Sequence, residues 1–542
     1  MTRLAAFAAL FAALAAAPGA ARERPASRPA EWVAVAPHAL VAEVSRLAEH
    51  RRASGTTAEV AEIEEIERGH PATDRRTSIR AFLDDASRDG GARYVLLVGD
   101  AASLPPARDE GFFGKPFASD ATYATAERAV GRFPSVDASV VRRLVDRTIA
   151  YEDDAKPAGW RRRVAFLGGA AGFAPALDSA LEAAVGGILD REIPPELDLR
   201  VLRPDPASPY GVPEKEERQA ILDLWGSGAL IGLYAGHGSR DGLHTATQRG
   251  RTRRIFGLDD ARRLEVRQGA PFLLFFACNV GEFDSAGGSC LASTLFEVER
   301  GPIAVLAASQ TSHPYADLLL GLALTEVFRG SSSPRIGDLV RLAKGKVASG
   351  EGEQRERIDR SAETFGMSAE ERTRATAYGC AVYNLLGDPA VHLLVPDAKT
   401  SVRAPQAAAA GDEIEVVVES DAEDGASVVA TLERPRSAVP PGAHGPREAN
   451  VRTLDQAAGS LEGKQWRGRL RIPLDAPRGR IVVVADVRGA RSQGAAAAAV
   501  RIEDRASTRP ADPNGSPAKP SRSESPAKPS QDGLPAKPPQ DG

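Results

Sequence analysis

Ala229-Leu230-Ile231-Gly232-Leu233-Tyr234-Ala235 is a largely apolar run that breaks into Gly236-His237-Gly238. Pro271-Phe272-Leu273-Leu274-Phe275-Phe276-Ala277 is a second, which breaks into Cys278-Asn279-Val280-Gly281. A short apolar run bounded by turn residues reads as a strand buried on both faces, as in a parallel sheet. In open α/β sheets the working site lies beyond the carboxyl ends of the strands. If these two strands are neighbours, they bring His237 and Cys278 together, although a long stretch of sequence separates them. A thiol beside an imidazole is a nucleophile activated by a general base. Taken singly, each residue reads as structural, since Cys is commonly a small buried hydrophobe. The paired strand-end placement points to chemistry, as do the glycines flanking His237, which let the backbone approach a ligand closely.

The same alternation extends to both sides. Upstream, Glu31 to Val35 reads as a strand and Pro37 to Arg52 as a helix with Leu40, Val41, Val44 and Leu47 on one face. Thr57 to Ile66 reads as a strand with one wet face, Arg75 to Ser87 as a helix, and Tyr94 to Asp100 as a strand. This is βαβαβ, hence a parallel sheet. Residues 101 to 128 read as a long loop, Ala129 to Phe133 as a strand and Val136 to Glu152 as a helix. The strand Arg163 to Leu167 runs into Gly168-Gly169-Ala170-Ala171-Gly172, which lacks the spacing of a dinucleotide fingerprint or a phosphate loop. Helix, strand and helix follow at Pro175 to Asp190, Leu197 to Leu202 and Glu214 to Trp225. Gln248 to Arg254 reads as a solvated basic loop. Beyond Cys278, Leu291 to Val298, Tyr315 to Phe328 and Arg335 to Val347 read as helices and Pro302 to Ala308 as a strand. Tyr383 to Pro389 reads as a turn before a closing strand, Ala390 to Val395.

From about residue 400 helical periodicity stops. Short alternating segments between Gly-, Pro- and Asp-rich turns indicate a β-sandwich, immunoglobulin-like in architecture only, since the paired cysteines of antibody domains are absent. From residue 505 the chain is rich in Pro, Ser, Lys and Asp, and Pro-Ala-Lys-Pro recurs from Pro517, Pro526 and Pro535. Such a tail cannot bury a core and is expected to be disordered.

A chain of 542 residues exceeds one hydrophobic core. Its 69 basic and 73 acidic residues, net charge −4, argue against nucleic acid as a partner. Three cysteines exclude a dense disulfide framework. Arg3, the apolar run Leu4 to Ala17 and the small residues to Ala21 have the pattern of a secretory signal, too short to span a bilayer. No other segment is long and apolar enough to be transmembrane, so a secreted or cell-envelope protein is expected. The expected layout is a signal peptide (1–21), an N-terminal α/β subdomain (22–156), a catalytic α/β subdomain (157–398), a β-sandwich (399–504) and a tail (505–542).

Several separated motifs, taken together, resemble the gingipain family of secreted cysteine peptidases. They are Tyr94-Val95-Leu96-Leu97-Val98-Gly99-Asp100, Gly131-Arg132-Phe133, Asp146-Arg147-Thr148-Ile149 with Tyr151-Glu152, Tyr234-Ala235-Gly236-His237-Gly238-Ser239, Ala277-Cys278 and Gly387-Asp388-Pro389. The resemblance covers roughly residues 31 to 396 and implies a caspase-like fold. It also implies Cys278 as nucleophile, His237 as general base and acid, and the backbone N–H groups of Gly238 and Cys278 as the oxyanion hole. By the same resemblance, Asp178 beneath and Tyr315 above would form a pocket for Arg or Lys at P1, the substrate residue before the scissile bond.

Two departures stand out. Where the family has an acidic residue oriented toward the catalytic His, this chain has Ala170-Ala171. His237 is therefore expected to act in a dyad, or to be oriented by another carboxylate such as Asp241. Nor is there room between the signal and Glu31 for the family's long pro-segment. His244 and His313 are expected at the surface or behind the site, and Cys290 and Cys380 as buried thiols. A zinc site of His237, His244 and Cys278 is conceivable, but the strand-end geometry favours nucleophilic catalysis.

The expected function is a secreted cysteine endopeptidase with protein or peptide substrates and no required cofactor. Calcium is open as a structural ion, although no acidic loop has ligand spacing that specifies it. The competing reading is a catalytically silent relative that binds peptides or surface components through its sandwich and tail.

Overall fold

The computed structural model describes residues 29–169, 186–205, 207–246, 252–285 and 288–503. The signal-like N-terminus, Asp178, Arg249, Arg251 and the Pro-rich tail lie outside the described residues.

A ten-stranded mixed sheet forms the centre. Its strands are β1 (Trp32–Ala36), β2 (Ala58–Glu62), β3 (Tyr94–Val98), β6 (Ala129–Phe133), β7 (Arg163–Gly168), β8 (Asp198–Leu202), β9 (Ile231–Ala235), β13 (Phe272–Phe276), β14 (Ala304–Ala308) and β15 (Tyr383–Leu386). Across the sheet they lie in the order β2-β1-β3-β6-β15-β14-β13-β9-β7-β8. The continuous apolar runs become strands that are buried throughout, such as β1, β3 and β14, as sheets covered on both faces require. The two runs quoted first are neighbours: β9 and β13 pair in parallel, with Tyr234 opposite Phe275 and Ala235 opposite Phe276.

The four strands before residue 157 occupy one end of this sheet, and the strands after it occupy the rest. The seam between them is thin, since β15 meets β6 through one register pair, Leu386 and Arg132. Gly131 permits this contact: a Cβ there would fall 2.2 Å from the Gly387 carbonyl oxygen. Buried charge reinforces the seam. Arg51, on the helix His38–Ala53, donates to Asp388 at 2.6 Å and to Glu152 at 2.5 Å, and Trp32 Nε1 donates to Asp388 at 3.0 Å. Arg132 forks onto both oxygens of Asp120 at 2.7 and 2.6 Å and donates to the Gly99 and Leu104 carbonyls. Arg147 donates to the carbonyls of Phe296 and Val298.

Several expectations are corrected. The sheet is mixed, because β15 runs antiparallel to β14. Thr57 to Ile66 is a strand only to Glu62, after which Ile63–Gly69 is a helix that buries Ile63 and Ile66. The expected loop at 101–128 contains a hairpin, β4 (Ala107–Glu110) with β5 (Pro116–Ser119). The stretch after His237 folds as a three-stranded antiparallel sheet, β10 (His237–Ser239), β11 (Gly242–Ala246) and β12 (Thr252–Gly257). In β12 Arg253 forks onto Glu217 at 2.6 and 2.6 Å and Arg254 pairs with Asp241 at 3.2 Å, so these two arginines are ordered strand residues. Tyr383–Leu386 is the closing strand itself, and Ala390 to Val395 contributes only an isolated bridge from His392 to Arg335. Two helices, Glu353–Thr364 and Ala369–Val382, fill the unassigned stretch before it.

The C-terminal region is all-β. β16 (Thr400–Arg403), β18 (Glu413–Ser420) and β21 (Gln465–Arg471) form one sheet. β17 (Ala407–Ala409), β23 (Gln493–Glu503), β22 (Gly479–Arg488), β19 (Ser427–Glu433) and β20 (Thr453–Ser460) form the other. Inward residues of both, among them Val416, Val418, Val428, Leu432, Trp466, Leu470 and Val483, share one core. This region is fastened to the edge of the central sheet. Asn450 receives the Val201 N–H and donates to the Val201 carbonyl, both at 2.8 Å, as a neighbouring strand would. Arg452 donates to the Leu199 carbonyl at 2.9 Å. Among the described residues no helix is long and apolar enough to cross a membrane.

Candidate active site

Beyond the ends of β9 and β13 the two chains stay in contact, with the Gly236 N–H donating to the Phe276 carbonyl at 3.2 Å. A Cβ on Gly238 would fall 2.8 Å from the Cys278 carbonyl oxygen and 2.7 Å from Val280 Cγ2. Only glycine lets the β10 backbone press against the turn that carries Cys278. Tyr234 holds the base of the hairpin: its buried hydroxyl lies 2.7 Å from the His237 carbonyl and 2.8 Å from the His244 carbonyl, its one proton between them. After Cys278, Asn279 adopts left-handed backbone, φ +60°. Asn tolerates that region better than most residues. Here the Asn279 amide donates to Gln310 Oε1 at 2.9 Å and its N–H to the Gln310 carbonyl at 3.0 Å.

His237 and Cys278 are both half-buried and both line one cavity of about 490 Å³. The Cys278 sulfur lies 3.9 Å from the Ser312 hydroxyl and 3.9 Å from the Ser312 carbonyl. Ser312 donates to Asp317 Oδ2 at 2.7 Å, and Tyr383 donates to Asp317 Oδ1 at 2.7 Å. Burial pushes the Asp317 carboxyl up to about 7. Burial also raises the Cys278 thiol, and the Asp317 charge raises it further. At rest, then, Cys278 is a thiol, and a base is required to make the thiolate nucleophile.

Two histidines set apart by the sequence reading sit nearer than expected. His244 stands directly opposite His237 in the β10–β11 pair. Burial lowers its basicity, and the Arg254 charge acts in the same direction against the pull of Asp241. Asp241 itself accepts from Ser239 at 2.7 Å. His313 lines the cavity, with burial holding it below the usual histidine range. It packs against Phe112 at 4.9 Å and stacks on Phe113 at 6.1 Å, two residues at the tip of the β4–β5 hairpin. Sequence reasoning missed this wall because it saw no hairpin there.

Tyr315 is buried on the helix Pro314–Arg329. Its hydroxyl donates to Asp359 at 2.6 Å, Arg355 lies 5.6 Å over its ring, and it is not among the cavity-lining residues. Cys290 is fully buried with its sulfur 3.4 Å from the Ser293 hydroxyl, and Cys380 is half-buried. Among the described residues no group of three His, Cys, Asp or Glu side chains is placed to hold a metal ion, so His237, His244 and Cys278 do not form one.

The model of peptidase family C25 matches residues 25–394 of this chain. Two solved structures are similar in fold. One is the complex of Porphyromonas gingivalis RgpB pro- and mature domains, with a TM-score of 0.50 and 17% identity, covering 87% of this chain and 100% of that one. The other is the Arg specific cysteine proteinase gingipain R (RgpB), with a TM-score of 0.51 and 16% identity, covering 88% of this chain and 99% of that one. No curated protein matches the sequence.

Proposed function

Because the chain belongs to peptidase family C25, a family of cysteine peptidases, we propose that it is a cysteine endopeptidase working through Cys278 and His237. The observation that carries this reading is that both side chains line one cavity just beyond the ends of two paired parallel strands. His237 takes the thiol proton as the sulfur attacks the scissile carbonyl carbon. The oxyanion that forms accepts hydrogen bonds from the Gly238 and Cys278 N–H groups, which need no reorganisation. Collapse expels the amine, which leaves with the proton from His237, and a thioester remains. A water that gives its proton to His237 attacks the thioester, and the second collapse returns the acid product and the thiol. A lost oxyanion donor costs about 3 kcal/mol of barrier.

The signal-like residues 1–21 support export of the enzyme, and N-terminal sequencing of the exported protein checks cleavage after Ala21. The expected preference for Arg or Lys rests on Asp178, outside the described residues, and on Tyr315, whose hydroxyl is taken up by Asp359.

A peptidyl acyloxymethyl ketone should label the wild type and neither Cys278→Ala nor His237→Ala. Near-wild-type peptide turnover by either variant would refute the assignment, and an unlabelled, inactive wild type would favour the catalytically silent alternative.

A further inference from the structure

The cavity beside the catalytic pair descends one face of the central sheet, and the strand register fixes what it meets. Val164, Ile231 and Phe272 lie abreast on β7, β9 and β13. Phe166, Leu233 and Leu274 form the next row, and Gly168, Ala235 and Phe276 the row after it. One more step along β9 and β13 reaches His237 and Cys278. All of these residues line the cavity, so an apolar floor leads without interruption to the nucleophile. The facing wall comes from the helix Pro314–Arg329 through Gly321, Leu324 and Phe328. Gly321 leaves room there, since a Cβ on it would already stand 3.4 Å from Phe276 Cζ.

The charges in the lining point the same way. Asp317 is the one carboxylate among the described lining residues. Ser312 and Tyr383 already occupy its two oxygens, and burial favours its neutral form. A guanidinium or ammonium entering along the floor rows would give up its water against apolar side chains, which is costly in an apolar enclosure. A large apolar side chain loses nothing polar and fills the floor rows.

We infer that this cavity is the S1 pocket, the subsite for the P1 residue, and that it takes a large apolar P1 side chain, aromatic or long aliphatic. The inference rests on the Cys278–His237 reading and departs from a basic P1 preference.

Two peptidyl acyloxymethyl ketones identical except for Phe or Arg at P1, and a third with Ala, provide the test on the full chain. The Phe probe should modify Cys278 faster than the Arg probe by about tenfold or more. Gly321→Leu, which fills the pocket, should slow the Phe probe by about tenfold more than it slows the Ala probe. Faster labelling by the Arg probe in the wild type overturns the pocket assignment while leaving the catalytic reading intact. Equal slowing of all three probes in Gly321→Leu also overturns it. If no probe modifies the wild type, the catalytic reading fails and the pocket assignment fails with it.

Discussion

Two places on the central sheet, its internal seam and the carboxyl ends of β9 and β13, handle polar residues in opposite ways. Around the seam between β6 and β15, Arg132 and Asp388 are 0% exposed and Arg51 3%, and each carries two or more fixed hydrogen bonds. Around the ends of β9 and β13, His237, His244 and Cys278 are only half-buried. There, burial moves the thiol and His244 away from their ordinary values without neutralising them in ion pairs. Both groups include residues from the motifs that carry the family resemblance. A motif therefore does not declare its role. A charged residue that is wholly buried and doubly paired holds the halves together, whereas one left partly wet at a strand end is available to react.

The comparison breaks most visibly if the two places exchange phenotypes. Cys278→Ala should lower turnover at least about a thousandfold and leave the thermal midpoint unchanged. Asp388→Ala should do the reverse. It leaves the buried Arg51 guanidinium with Glu152 alone and Trp32 Nε1 without its acceptor, and removing one partner of a buried pair typically costs about 3–5 kcal/mol. A large drop in melting temperature is expected, with activity retained where the variant is still folded. Wild-type melting in Asp388→Ala would mean that the thin β6–β15 seam needs no reinforcement.

What could be read from sequence follows the same division. The continuous apolar strands and the amphipathic helices announce themselves by period, so β1, β3, β6, β7, β9, β13 and β14 were legible, and with them the meeting of His237 and Cys278. Tyr383–Leu386 was not, because its apolar run merges into the turn Gly387-Asp388-Pro389 and it pairs antiparallel in an otherwise parallel context. The helix Glu353–Thr364 buries no residue and so has no apolar stripe to read. The hairpin β10–β11 contains only three and five residues, and missing it hid the placement of His244 opposite His237. The Ser312–Asp317–Tyr383 chain draws on residues distant in sequence, brought together by β14, the following helix and β15, and no spacing rule marks it.

A third region sharpens the contrast, because the all-β part reaches the cavity wall. Arg436 donates to the carbonyls of Leu189, Ile193, Pro194 and Leu197 at 2.7 to 3.1 Å, and all four of those residues line the cavity. Burial lowers Arg436 to about 10, so it remains charged at neutral pH. Arg436→Ala should loosen that wall and lower kcat/KM for large P1 residues by roughly tenfold, with a smaller effect for Ala at P1. An equal loss for every substrate would assign Arg436 to general stability.

The smallest effect concerns Asp317, which shares traits with both places: doubly hydrogen-bonded like the seam residues, yet half-buried in the cavity lining and one hydroxyl away from the nucleophile. Its folded pKa of about 7 lies above the ordinary carboxylate value of 3.8. Between those values the folded chain holds a proton that the unfolded chain has released, so stability must fall as pH rises through that window. Asp317→Asn removes the group and should flatten that fall, which thermal midpoints at about pH 5 and about pH 8 will show. The effect on chemistry has a definite sign. Ionised Asp317 opposes the Cys278 thiolate. Replacing it with a neutral amide should therefore move the acid limb of kcat/KM to lower pH, by a few tenths to about one unit. Asn keeps one acceptor oxygen, for Ser312 or for Tyr383, and its amide N–H can donate to the hydroxyl oxygen of the other, so the sulfur should stay beside Ser312 and KM should change little. A shift of the acid limb to higher pH would mean that the Asp317 charge assists the thiolate, and that the buried carboxylate is part of the reacting group.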